Sequence, residues 1–164
     1  MKRRLHSEIR QTKPFASIEE EVFLQMLRTT QVAHHWCVER LRPLGISPAQ
    51  LNVLRILRGA LPQALSSRVI AGRMIQRDPD LTRMLDRLEA AGLIEKQRDT
   101  VDRRVVNVTV TKAGAEAAEA GARAVRSVLA ERFAALGPRK LEQLANLLDQ
   151  ARGADGLDNE EATR

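Results

Sequence analysis

Apolar residues recur at three- and four-residue spacing early in the chain: Ile18, Val22, Met26, Ala33, Cys37 and Leu41, with Phe23, Leu27 and Trp36 beside them. This period predicts an α-helix. Ser17-Ile18-Glu19-Glu20 matches the S-x-x-E capping box, which places the helix start at Ile18, and Pro43 and Gly45 end it. At about 25 residues, or roughly 37 Å, the helix carries apolar side chains on more than one face. One small core does not need that much apolar surface, so part of it is expected to pack against another chain.

Ser47-Pro48-Ala49-Gln50 repeats the start signal, with a serine cap, proline at the first helical position and glutamine at the third. The helix from Pro48 to about Gly59 is densely apolar (Leu51, Val53, Leu54, Ile56, Leu57) and is expected to sit centrally. Leu61-Pro62 is a breaker, and Ser66 caps a short helix through Ser67, Val69, Ile70 and Met74. After a turn over Ile75-Gln76-Arg77-Asp78, Asp78-Pro79 reads as cap and first position of a helix whose Leu81, Met84, Leu85 and Leu88 keep helical spacing up to Gly92.

Beyond Gly92 the period becomes two. Ile94, Lys96 and Arg98 alternate with Glu95, Gln97 and Asp99, and after Thr100-Val101-Asp102 the alternation resumes with Val106, Val108 and Val110, predicting a β-hairpin. Thr111 caps a second long helix from Lys112 to about Leu136, in which seven of the twelve residues from Ala113 to Ala124 are alanine, a composition of high helix propensity. Gly137-Pro138 breaks it, and Leu141, Leu144, Leu147 and Leu148 mark a last amphipathic helix ending near Gly153.

Helix–turn–helix followed at once by a hairpin is the order of a winged helix, which offers a helix to the DNA major groove and a β-ribbon to the adjacent backbone or minor groove. The fold class expected is therefore mainly α with a small β-hairpin wing. A hairpin tip cannot bury Arg103 and Arg104, but the strongly negative potential of a narrow groove rewards guanidinium groups placed there. Lys96 and Arg98 are expected to reach flanking phosphates. On the helix before the hairpin, Asp80, Thr82, Arg83, Asp86 and Arg87 point away from the core. Arg83 can donate two bonds to guanine, Thr82 can meet a thymine methyl or a phosphate, and Asp80 can accept from cytosine. Structural roles compete: Asp80 as a first-turn carboxylate offsetting the helix dipole, and Arg83 and Arg87 as partners of intrahelical pairs worth only ~0.3–0.5 kcal/mol each. Ser66 and Ser67 complete the candidate DNA contacts.

Three segments resemble the multiple-antibiotic-resistance regulators, the MarR family. "DLTRMLDRLEAAGLIEKQRD" from Asp80 is similar to the family's recognition helix and first wing strand, "DRRVVNVTVTKAG" from Asp102 to its D-x-R wing and T-x-x-G helix start, and "ISPAQLNVLRIL" from Ile46 to its second helix. The resemblance implies a homodimer bound to double-stranded DNA, with both chain ends forming an all-helical dimerisation domain. It implies that Asp102 orients Arg104, that Arg104 enters the minor groove, and that Arg103 contacts the flanking backbone. The chain departs from the commoner pattern at Ile75-Gln76 and Asp78-Pro79-Asp80, which leaves the docking mode intact and bears on the target sequence. The resemblance also implies a small-molecule effector pocket, which Trp36 with His34 or His35 would line; packing is the competing role for Trp36. Redox sensors of the family use a first-helix cysteine beside tyrosine hydroxyls. Cys37 lies in that helix but the chain has no tyrosine, so a buried, inert thiol is expected.

The net charge of +6 favours polyanions. Its distribution is uneven: five basic residues against one acidic in the first 14, four acidic against one basic from Asp155 to Arg164, where a disordered tail is expected. No apolar run suits a membrane span, and no apolar segment follows the N-terminal charges, so a cytoplasmic protein is expected. A single cysteine allows no internal disulfide. The adjacent His34 and His35 point in different directions and cannot chelate one metal together. No nucleophile elbow, phosphate-binding glycine loop or paired carboxylates in a pocket-like context occur, which argues against an enzyme and gives no reason to expect a cofactor. The regions expected are an N-terminal arm and dimerisation helix (1–45), a winged helix-turn-helix (46–111), C-terminal dimerisation helices (112–153) and an acidic tail (154–164). The function expected is sequence-specific transcriptional regulation, most often repression; the alternative is non-specific DNA packaging or scaffolding.

Overall fold

The computed structural model describes residues 4–76, 78–100 and 102–153. The acidic tail and Val101 lie outside the described residues. The element order is α1 (Arg4–Glu8), α2 (Ile18–Leu41), α3 (Pro48–Ala60), β1 (Leu65–Ser66), α4 (Ser67–Arg73), α5 (Leu81–Ala90), β2 (Ile94–Arg98), β3 (Val106–Val110), α6 (Lys112–Phe133) and α7 (Gly137–Arg152), with 3-10 turns at Arg42–Leu44 and Ala134–Leu136. The fold is mainly α with a small antiparallel sheet, as the periods predict. By compactness the chain divides into two units, Met1–Glu39 and Arg40–Arg164.

In the first unit Ser17 Oγ accepts the Glu20 amide at 3.2 Å, while the Glu20 carboxylate accepts the Ala16 amide at 2.7 Å rather than that of Ser17, so the capping box reaches one residue further back than the motif specifies. The hydrogen bond from Ser17 holds the Glu19 carboxyl below its ordinary value. The short α1, which no period announced, is tied down by an Arg28–Glu8 ion pair at 3.0 Å.

In the second unit one core joins the winged helix to α6. Val53, Leu54 and Leu57 of α3, Ile70 of α4, Leu85 and Leu88 of α5, Ile94 of β2, Val108 of β3 and Ala118 of α6 are all buried in it. Ser47 forms the full capping box with Gln50, and Ser66 Oγ caps α4 by accepting the Val69 amide at 3.3 Å. The sheet has one more strand than the hairpin predicted: its order is β1-β3-β2, with Leu65 opposite Val108 and Ser66 opposite Asn107. Helix α5 begins at Leu81 rather than Pro79, because Asp78 Oδ1 accepts the Asp80 amide at 2.8 Å and closes a turn just before the helix.

The small residues of α6 set a close packing distance as well as favouring helix. A Cβ added to Gly114 would collide with the Leu93 carbonyl, and one added to Gly121 would lie 2.7 Å from Leu51 Cδ1 of α3. Thr111 locks the same corner: its hydroxyl donates to Gly92 O at 2.8 Å and accepts the Gly114 amide at 3.0 Å. Gly92 itself takes the left-handed conformation (φ 69) that ends α5. Further along, Glu119 of α6 is bonded by Arg58 of α3 and approached by Arg126 at 3.4 Å and Arg123 at 3.6 Å. The Arg58 guanidinium holds the Glu119 carboxyl below the usual range.

Candidate nucleic-acid interface

Helix α5 is anchored by one face, Leu81, Met84, Leu85 and Leu88, and exposes Thr82, Arg83, Asp86, Arg87 and Glu89. The helical repeat sorts the exposed residues into two stripes, Thr82–Asp86–Glu89 and Asp80–Arg83–Arg87. The first is turned toward β2. Lys96 Nζ lies 2.5 Å from Asp86 Oδ1 and 2.8 Å from Glu89 Oε2, and the Lys96 backbone amide donates to Glu89 Oε1 at 3.3 Å. Those hydrogen bonds, donated to Asp86 first and Glu89 second, raise the pKa of the Lys96 ammonium.

Lys96, expected from the sequence to reach a flanking phosphate, pairs in this structure with two carboxylates of α5. Its side chain is only 21 % exposed and its ammonium is held on α5. The strand alternation carries the reason: Lys96 shares the face of Ile94, which is buried in the core. Arg98, at the outer end of β2 opposite Val106, is exposed.

The second stripe stays open. Arg83 lies 3.6 Å from Asp80, but both side chains are more than two-thirds exposed, and such a pair is weak. Asp80 makes no side-chain capping bond although it is the N-cap residue. Arg87 has no ion-pair partner among the described residues. Ser66 spends its hydroxyl on the α4 cap, and Ser67 follows it, half-buried, at the start of that helix.

The wing turn is built by two aspartates acting on main chain. Asp99 Oδ1 accepts the Asp102 amide at 3.0 Å and its Oδ2 accepts Asn107 Nδ2 at 3.0 Å, while the Asp99 amide donates to Val105 O at 3.0 Å. Asp102 Oδ1 in turn accepts the Arg104 amide at 2.9 Å. Asp102 thus acts on the backbone of Arg104, and the side chains of Arg103 and Arg104 are exposed. Asp99 and Asn107 were not singled out from the sequence; their signal is an acid that closes a hairpin opposite a polar residue among valines.

His34 and His35 are exposed on α2, with Trp36 and Cys37 half-buried beside them. Burial pushes the Cys37 thiol up, away from the reactive range. A cavity of about 350 Å³ opens at the elbow of α6 and α7, lined by apolar groups of Leu129, Phe133, Pro138 and Leu141.

The match to known proteins falls on this same region. Residues 46–106 match the profile of the MarR family. An uncharacterised HTH-type transcriptional regulator of Mycobacterium leprae (strain TN) is 34% identical over 104 residues, 63% of this chain and 71% of the relative. The chain belongs to the MarR family. The HTH-type transcriptional repressor MdtR of Bacillus subtilis (strain 168) is 38% identical over 77 residues, 47% of this chain and 48% of that one. The crystal structure of a MarR transcription factor from Planctomyces limnophilus shares 31% identity, covering 84% of this chain and 99% of the other with a TM-score of 0.65. This is a DNA-binding MarR-family transcriptional regulator with a winged-helix fold, in a family of regulators rather than enzymes. Among the described residues no helix is long and apolar enough to cross a membrane.

Proposed function

We propose that this MarR-family regulator is a cytoplasmic homodimeric repressor of a pseudo-palindromic operator. Each protomer lays α5 in the major groove, with Arg83 and Arg87 on base edges or phosphates and Thr82 beside them, and sends the β2–β3 wing along the backbone. Arg104 enters the minor groove, Arg103 and Arg98 meet flanking phosphates, Ser67 meets a phosphate near the start of α4, and Asp102 shapes the turn that aims Arg104. The observation that carries this reading is the pairing of an open arginine stripe on α5 with an exposed arginine tip on the wing that follows it.

Dimerisation is supported by apolar surface that a lone chain leaves in water. On α2, Val22, Phe23 and Leu27 are exposed, and on α7 Leu144, Leu147 and Leu148 are exposed with no residue of that helix buried. Covering such stripes is the ordinary use of a second copy. Residues 1–45 and 112–153 form the dimerisation part and 46–111 the reading part. Repression is carried over from the Bacillus relative, an HTH-type transcriptional repressor. A small-molecule effector reaching His34, His35 and Trp36 would weaken DNA binding by favouring a wrong spacing of the two winged helices.

Selection of bound fragments from random duplex DNA tests the reading. A twofold-symmetric consensus, held against a large excess of random competitor, is the expected result. Enrichment of no sequence, with binding lost equally to any duplex, would replace the regulator by a non-specific packaging protein.

A further inference from the structure

We propose that Lys96 is a positioning residue for DNA binding, one that works through Asp86 and Glu89 and makes no contact with DNA itself. The inference rests on the reading above, that α5 and the wing grip DNA together. Strand β2 is an edge strand, since the order is β1-β3-β2. The Lys96 amide leaves the sheet to donate to Glu89 Oε1, while its ammonium spans Asp86 Oδ1 and Glu89 Oε2. Main chain and side chain of one residue therefore bind the wing to the flank of the reading helix.

Charge gives the clamp a second effect. Asp86 and Glu89 are exposed and lie one helical position from the Arg83–Arg87 stripe. Uncompensated, two carboxylates there would repel phosphates that come within the ~8 Å screening length of physiological salt. The ammonium between them cancels much of that field. Hydrogen bonding to both carboxylates further favours the charged form of Lys96. The edge-strand amide and the carboxylates are each satisfied within the protein, so the clamp is complete before DNA arrives.

A double-mutant cycle separates action through the carboxylates from direct contact. The probe is the duplex that the parent protein selects from random DNA, and binding is measured across a salt series. Lys96→Met is expected to weaken binding about tenfold in the parent background, but less than about threefold in Asp86→Asn/Glu89→Gln, where the partners are already neutral. Lys96→Arg, which keeps both bonds, is expected to stay within about threefold of the parent. Equal losses in the two backgrounds, with the slope of log K against log salt shallower by about 0.9, would make Lys96 a phosphate contact and overturn the proposal. An unchanged affinity for Lys96→Met would overturn it too. Should that variant fail to melt cooperatively, Lys96→Gln runs through the same cycle. A parent protein that selects no duplex at all would refute the regulator reading itself, an outcome distinct from any pattern in the cycle.

Discussion

Arg83 and Arg104 stand at two ends of the proposed interface and should fail differently when removed. Arg83, on the open stripe of α5 with only a weak Asp80 partner, is expected to read a base. Arg83→Ala should cost ~1–3 kcal/mol on the selected duplex and relax the preference at one position of each half-site. Arg104, on the turn that Asp102 shapes, is expected to act on the groove potential and phosphates. Arg104→Ala should weaken all duplexes alike and flatten the salt slope by about 0.9; a loss confined to one base pair would contradict that role. Salt-series titrations of both variants check the contrast.

At the scale of elements, the corner where β2, β3 and α6 meet is held by contacts that admit little change. Gly114→Ala drives a Cβ into the Leu93 carbonyl, and because backbone cannot yield as a side chain does, a destabilisation of ~1–3 kcal/mol is expected in thermal or urea unfolding. The tie between α3 and α6 has a pH signature. Glu119 is held below the usual range by Arg58, with Arg126 and Arg123 nearby. A carboxyl depressed in the folded state adds stability above its unfolded pKa of ~4.3 and loses it as pH falls through the folded value. The melting temperature should therefore drop on acidification below that range, and Glu119→Gln should remove part of the dependence.

These elements also show what the sequence made legible. Caps at Ser47, Ser66 and Thr111 and the change of period at Gly92 marked most helix starts and the wing, because those signals are local. Strand β1 was missed because two residues carry no period; it exists through pairing with Val108 and Asn107, far along the chain. Local hydrogen bonding from Asp78 moved the start of α5 against its Asp-Pro signal. The partners of Lys96 depend on how β2 packs on α5. Its alternation with Ile94 was nevertheless readable, and it pointed inward.

For the molecule as a whole, the apolar stripes of α2 and α7 matter more than any single contact. Leu147, 62% exposed on a helix with nothing buried, is costly surface for a lone chain. Leu147→Asp is expected to shift sedimentation from dimer toward monomer while leaving the winged helix folded; an unchanged species would remove α7 from the interface. The central claim is that two winged helices of one dimer read a symmetric site, and hydroxyl-radical footprinting on the selected duplex tests it most directly. The account predicts two mirror-related sets of protections about 10 base pairs apart, each flanked by a minor-groove protection that vanishes with Arg104→Ala. A single unpaired footprint, or even protection along the whole duplex, would contradict it.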